Sequence, residues 1–194
     1  MCEKVLLSTT TENSFQNNDV CWYTRARSKR ACGPYYFIKF LIMKSRYKEV
    51  VFGARILIIN PEGKILMGKR IQECGNGTYT MPGGKLEKGE SILIGGWRES
   101  REECNLDLLS GRIITTHFDT FKDQMTLTFG VVCYEYTGWV KNMEPKLIKE
   151  WEWFDPLFLP KAIFFPNRGL IDHIGLYGLP AANKLQKIKR PDSQ

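Results

Sequence analysis

No apolar run in this 194-residue chain approaches the ~18 residues that a membrane-spanning helix needs, so a membrane partner is not expected. Internal repeats and low-complexity tracts are absent. The six cysteines (2, 21, 32, 74, 104 and 133) form no CxxC and no other paired-ligand spacing, which argues against a thiolate metal site. Cys104 and Cys133 fall in apolar patterns and read as buried free thiols. They imply a reducing compartment: the cytoplasm first, with mitochondrion and nucleus as alternatives. Only two histidines occur, His117 and His173, and neither has a partner spacing that suggests a ligand or nucleophile. No serine or cysteine nucleophile constellation is present.

What is there is an ordinary globular composition, 43% hydrophobic and 25% charged, with an uneven charge. Residues 1–48 carry nine Lys/Arg against three Asp/Glu, which is +6 of the chain's +7. The remainder carries nineteen against eighteen and is nearly neutral. Residues 1–34 lack helical or strand periodicity and read as a disordered arm. Its cluster Arg25, Arg27, Lys29, Arg30 keeps nucleic acid open as a less favoured partner. Glu3, Glu12 and Asp19 speak against an acid-poor transit peptide. The apolar run Tyr35 to Met43 suggests an extra edge strand or short helix. The expected organisation is an arm over 1–48, one domain over 49–182 and a basic tail over 183–194 that frays.

The chain is organised around Gly83 to Leu106. At 100° per residue, Glu103 lies about 40° from Glu99 and Glu102 about 60° on the other side, so all three share one helix face. Carboxylates at i, i+3 and i+4 repel by about 0.2–0.5 kcal/mol per pair. A multivalent cation on that face resolves the conflict, and hard oxygen ligands suit Mg²⁺ or Mn²⁺. Leu93, Trp97, Ser100 and Cys104 form a second face that can pack on a sheet. Ser91 is the expected N-cap and Asn105 the left-handed C-cap. Gly83-Gly84 makes a bend without side chains to block a ligand, and Glu90 can pair with Arg98. Gly95-Gly96 inside the helix costs roughly 1 kcal/mol each relative to alanine, which suggests that bulk there would obstruct a phosphate or the sheet.

Around this helix the pattern is mostly strands. Val50 to Ile59, the turn Asn60-Pro61-Glu62-Gly63 and Lys64 to Gly68 read as a hairpin leading into Lys69-Arg70. Tyr79 to Met81 reads as a short strand. Arg112 to Thr120 and Thr126 to Tyr136 read as two strands joined near Lys122-Asp123, and Glu150 to Phe154 as another. Leu170 to Tyr177 reads as a helix. Strands on both sides of a central helix predict an α/β (α+β) fold with a mixed sheet covered on both faces.

Gly84, five residues, Glu90, seven residues, then Arg98-Glu99-x-x-Glu102-Glu103 resembles the signature of the Nudix hydrolases. Ser100 and Asn105 depart from it, where the family has an apolar residue and a glycine. LMGKR at 66–70, GNGTYTMPGGKLEKGES at 75–91 and EPKLIKEWEWFDPLFLPKAIFFP at 144–166 look like the MutT-type nucleotide triphosphate diphosphatase branch. That branch includes 8-oxo-dGTP, thiopurine-nucleotide and dihydroneopterin-triphosphate hydrolases. The resemblance implies the Nudix fold, an α/β/α sandwich with a catalytic loop–helix–loop. It also implies a divalent metal, Mg²⁺ or Mn²⁺, and attack of water on a nucleoside triphosphate to give monophosphate and pyrophosphate.

On this resemblance the Gly83 carbonyl, Glu99 and Glu103 are direct metal ligands and Glu102 is a ligand or base. Arg98 first holds Glu90 and the loop, with direct phosphate contact as the lesser alternative. Gly84, Lys85 and Lys69 are candidates to meet the phosphates and Glu87 to touch an outer metal, with a solvated surface position as the competing role of Lys85, Lys69 and Glu87. Phe121, Trp151 and Phe165 are candidate platforms for the base, each with core packing as the competing role. Lys146 stands where relatives can carry an acid, with Glu144 or Glu150 as substitutes. The expected partner is a small nucleotide, and a homodimer is left open. A different diphosphate (nucleotide sugar, prenyl diphosphate or capped RNA) and a non-catalytic nucleotide-binding module are the alternatives.

Overall fold

The computed structural model describes residues 49–121, 123–182 and 185–188. The predicted arm, its basic cluster and the apolar run 35–43 lie outside the described residues. The elements, in order, are β1 (Glu49–Ile58), β2 (Ile65–Arg70), β3 (Tyr79–Thr80), α1 (Ile92–Cys104), β4 (Leu106–Leu108), β5 (Ser110–Phe121) and β6 (Gln124–Cys133). Then come β7 (Tyr136–Gly138), β8 (Ile148–Phe154), a 3₁₀ turn (Phe165–Asn167), α2 (Arg168–Tyr177) and β9 (Gln186–Lys187).

Strand β1 explains the layering. Ala54, Ile56 and Ile58 point to one face and Leu57 and Ile59 to the other, and all five are fully or almost fully buried. Helix α1 packs Trp97 and Cys104 into the first core, with Leu93 against it. Helix α2 packs Leu170 and Ile174 into the second. An apolar run buried on both faces is what a strand sandwiched between two helical layers requires. The main sheet runs β1-β6-β5-β9, with β1 parallel to β6 and the other pairs antiparallel. A second, antiparallel sheet runs β3-β2-β8, and β4 pairs with β7. The predicted mixed sandwich is the fold observed.

Two local expectations differ. The turn at Asn60 to Gly63 forms, with Asn60 N–H donating to the Lys64 carbonyl at 3.0 Å and an Ile59–Ile65 bridge. Beyond that bridge the two strands part, β1 to β6 and β2 to β8, instead of continuing as a hairpin. Gly68 accounts for the choice of β8: a Cβ there would sit 2.9 Å from the Trp151 ring and 2.9 Å from Ile148 Cγ2, so its bareness admits β8. The tail also departs from simple fraying. Gln186–Lys187 pairs with Gly111 and Ser110, Ile188 packs on the first core and Leu185 on the second. Two apolar residues bracketing a two-residue strand are too short a pattern to stand out among lysines.

Candidate active site

The loop from Pro82 to Leu86 runs beside β1. Pro82 O accepts from Ile56 N–H at 2.8 Å, Gly84 O from Ala54 N–H at 3.0 Å, and Leu86 N–H donates to Phe52 O at 2.8 Å. In an extended segment alternate amides face opposite ways, so the Gly83 amide turns from β1 toward α1. Its N–H donates to Glu103 Oε2 at 2.9 Å. Gly83 sits at φ 130°, and a Cβ there would lie 2.1 Å from Ala54 O. At Gly84 a Cβ would lie 2.5 Å from Glu99 Oε1. Both glycines are therefore required sterically: one lets the loop hug the strand, the other lets the Glu99 carboxylate rest on the loop.

Helix α1 is capped as its sequence predicts. Ser91 Oγ accepts from Ile94 N–H at 3.3 Å, and Asn105 takes the left-handed conformation at φ 60° with its N–H on Arg101 O and Ser100 O. Ser100 is fully buried on the packing face. Gly96 abuts β1, since a Cβ would meet Ile56 Cδ1 at 2.6 Å. Gly95 abuts the loop instead, with Leu86 Cδ2 at 2.3 Å and Glu90 Oε2 at 2.9 Å. The crowding is with the sheet at Gly96 and with the loop at Gly95.

Arg98 is the clasp between helix and loop. Its Nε and Nη2 donate to the two Glu90 oxygens at 2.9 and 3.1 Å, and Nη2 also reaches Lys85 O at 3.0 Å. Nη1 donates to Glu99 Oε1 and Glu102 Oε2, each at 3.0 Å. The Glu90 hydrogen bonds above all, and then Glu99, hold the guanidinium well above its ordinary range despite burial. Burial pushes the Glu90 carboxyl up, but its hydrogen bonds to Arg98 and to the Glu87 N–H outweigh it, and the group lies below its usual range. With every donor engaged, Arg98 is a structural clasp rather than a phosphate contact.

The acids separate into two kinds. Glu99 and Glu103 face the glycine bend. Burial pushes Glu103 up to about 8 and raises Glu99 as well. Glu102 turns outward to Arg98, with 56% of its side chain exposed. Glu144 joins the group from the segment before β8: burial first, then Glu102, raises its carboxyl, and its charge acts on Glu103. Glu150 is exposed with Lys149 Nζ at 3.6 Å, and Lys146 is exposed. Of the two proposed substitutes for an acid before the EWEW strand, the structure brings Glu144 to the site and leaves Glu150 out.

Arg55, on β1, was not singled out from the sequence. Its Nη1 donates to the Gly83 carbonyl. Burial lowers its pKa, while Glu103, Glu99 and Asp119 raise it, in that order. The register places Arg55, Thr128, His117 and Asp119 on one face of the main sheet. A single charge within the apolar run Val50 to Ile59 is the signal that could have found Arg55. His117 proves partnered after all, because i and i+2 share a strand face. Its Nε2 lies 2.8 Å from Pro166 O and 3.2 Å from Asp119 Oδ2. The Asp119 oxygen itself is buried and forms no hydrogen bond among the described residues.

The aromatic behind the site is Phe164, which is buried. Arg70 lies 3.7 Å above its ring, held by hydrogen bonds to Cys74 O, and Arg55 lies 5.8 Å from it. Phe165, the aromatic predicted here, stands edge-on to Phe164 at 4.9 Å. Asn167, fully buried, accepts from Met81 N–H and donates to Thr80 Oγ1, tying the 3₁₀ turn to the strand before the bend. Trp151 packs in the first core and donates to the Glu103 carbonyl at 3.1 Å, which is a scaffold role. Lys69 lies 5.8 Å over the Tyr79 ring, while Lys85 and Glu87 are exposed at the loop. The Phe121 side chain is outside the described residues.

The Gly83 carbonyl, Glu99 and Glu103 are hard oxygen donors around one bend, a set whose chemistry fits Mg²⁺ or Mn²⁺. They are nonetheless engaged by Arg55, Arg98 and the Gly83 N–H, and among the described residues no three acidic, His or Cys side chains converge as a finished cage. A mixed sandwich with a glycine bend, an acid-bearing helix and an Arg–Glu clasp defines a loop–helix–loop hydrolase of phosphoric anhydrides. A family model described as the NUDIX domain matches residues 51–173; the chain belongs to the Nudix family and is a Nudix hydrolase, a family that generally uses divalent metal ions.

Solved structures agree in fold. A MutT Nudix hydrolase from Burkholderia pseudomallei is 20% identical, with a TM-score of 0.61, over 64% of this chain and 98% of that one. A MutT protein from Methanosarcina mazei Go1 is 20% identical, with a TM-score of 0.56, over 66% and 96%. The E. coli ORF135 protein is 18% identical, with a TM-score of 0.54, over 68% and 96%.

Proposed function

We propose that the protein hydrolyses nucleoside triphosphates, oxidised or modified deoxynucleotides included, to a nucleoside monophosphate and pyrophosphate. The observation that carries this reading is the Glu99–Glu103 pair on the Gly83–Gly84 bend, fixed to the loop through the Arg98–Glu90 clasp. Paired hard carboxylates beside a bend free of side chains suit a metal-bound diphosphate.

Gly83 O, Glu99 and Glu103 would hold Mg²⁺ or Mn²⁺, with Glu102 at the outer edge. Such an ion, when bound, neutralises charge on the phosphates and acidifies a bound water. The chain's own part is positioning and proton handling. Arg98 and Glu90 lock α1 to the loop, so the acid pair keeps its place. Glu144, raised by burial and by Glu102, is the carboxylate suited to accept the proton of the attacking water. Gly84 leaves room for phosphate oxygens, and Lys85 and Lys69 supply charge at the loop and at β2. Buried thiols at Cys104 and Cys133 support placing the enzyme in the cytoplasm.

The test is a panel of dNTPs, oxidised dNTPs, dinucleotide polyphosphates, nucleotide sugars and capped RNA with Mg²⁺, scored by product. Monophosphate plus pyrophosphate from a dNTP is expected. Cleavage of a nucleotide sugar or a cap, with every dNTP untouched, would replace this reading with its neighbour. Glu103→Gln is expected to lower turnover by orders of magnitude while the melting transition stays cooperative. Unchanged turnover would remove Glu103 from the site.

A further inference from the structure

We infer that Arg55 is a resident cation seated on the Gly83 carbonyl between Glu99 and Glu103, and that a divalent ion enters by displacing its guanidinium toward Asp119. The inference rests on the reading of Gly83, Glu99 and Glu103 as the metal's ligands.

Four observations carry it. Arg55 Nη1 bonds the very carbonyl that the ion needs. The two acids that dominate the field at its guanidinium are the two that flank the same bend. A guanidinium and a divalent cation cannot share one carbonyl oxygen, because the repulsion at contact distance far exceeds the worth of one hydrogen bond. Finally, the structure holds a second seat. Asp119 lies on the same sheet face as Arg55, its Oδ2 is buried, and among the described residues that oxygen forms no hydrogen bond. A buried carboxylate oxygen without a donor is costly, and a guanidinium arriving there would satisfy it. The His117 ring lies beside it, with Nε2 3.2 Å from that oxygen, but Nε2 pairs with Pro166 O at 2.8 Å.

Arg55 is thus a positioning residue. It keeps two buried acids together in the metal-free protein and sets the threshold at which metal binds. On the Gly83 carbonyl its guanidinium lies 5.8 Å from the Phe164 ring, which Arg70 covers at 3.7 Å.

The experiment measures Mn²⁺ binding to the full chain by calorimetry, and melting in EDTA and in saturating Mn²⁺, for wild type, Arg55→Gln, Arg55→Lys and Asp119→Asn. Arg55→Gln is expected to bind Mn²⁺ about tenfold more tightly or better, as one opposing charge is gone. It is also expected to melt lower in EDTA and to gain more from Mn²⁺ than wild type. Arg55→Lys, which keeps the charge but loses the fork, is expected to fall between the two. Asp119→Asn is expected to weaken Mn²⁺ binding in the wild-type background and to have no effect when combined with Arg55→Gln. Equal or weaker binding by folded Arg55→Gln overturns the inference. Should that variant not fold, unchanged binding in both Arg55→Lys and Asp119→Asn overturns it. Absence of Mn²⁺ binding in wild type and all variants sinks the metal assignment as well, so the two failures are distinguishable.

Discussion

Arg98 shows how one side chain can be legible in sequence while its weight is not. The spacing to Glu90 foretells a pair, but only the structure shows a two-pronged contact to a carboxylate that is 8% exposed, with three further acceptors. Lysine cannot reproduce the fork. Arg98→Lys is therefore expected to cost about 1–3 kcal/mol in urea unfolding. The pH dependence has a definite sign. Because Glu90 lies below its unfolded value, its contribution is present above that value and disappears as pH falls through the folded one. Arg98→Lys should hence lose less stability than wild type between about pH 7 and about pH 3; an equal loss in both would mean that the pair is not what titrates. Cysteine reactivity is another residue-scale matter. Burial pushes Cys133 up to about 12 and raises Cys104 further, whereas Cys74 is exposed. Peptide mapping after iodoacetamide treatment of the native protein should find Cys74 alkylated and Cys104 and Cys133 untouched. Alkylation of either buried thiol would contradict the packing of α1 or β6.

At the scale of elements, α1 was readable from end to end because its signals are local. A serine before the first turn, an asparagine after the last and a buried face at helical spacing need no distant partner. Elsewhere the deciding contacts are remote. Arg55 meets its acceptor 28 residues away, and β1 chooses β6 rather than its neighbour β2. Phe164 and Phe165 are adjacent aromatics. Only the 3₁₀ turn that begins at Phe165 decides which ring lies under Arg70. The paired glycines of α1 stand between these cases, since their cost and the sheet contact of Gly96 were visible and the loop contact of Gly95 was not. Gly96→Ala gains about 1 kcal/mol of helix propensity but drives a methyl into Ile56 Cδ1, an overpacking cost of about 1–3 kcal/mol. Net destabilisation is expected. Ile56→Val deletes the offending atom, so the double variant should be more stable than the sum of the single changes predicts. Strict additivity in that cycle would mean that Gly96 is not held by β1.

At the scale of the whole molecule, the two cores draw on residues 54–188, and the family match, 51–173, covers most of the same span. The site draws on both sheets: Arg55 and Asp119 come from one, Arg70 from the other, and α1 bridges to them through Gly83. The charge is distributed otherwise, with +6 of the +7 in residues 1–48. The described fold and the proposed site thus lie after residue 48, and most of the net charge lies before it. A chain beginning at residue 49 should accordingly melt in one cooperative transition and keep its turnover of a dNTP within about twofold, since every residue of the proposed site follows that position. The same deletion separates the two substrate classes. Attraction of the basic arm to a polyanion would show as RNA binding that weakens steeply with salt and vanishes in the shortened chain. If the shortened chain kept dNTP turnover and the full chain ignored RNA at low salt, the capped-RNA alternative would lose its main support. Loss of dNTP turnover in a shortened chain that still folds would instead show that the arm completes the active site.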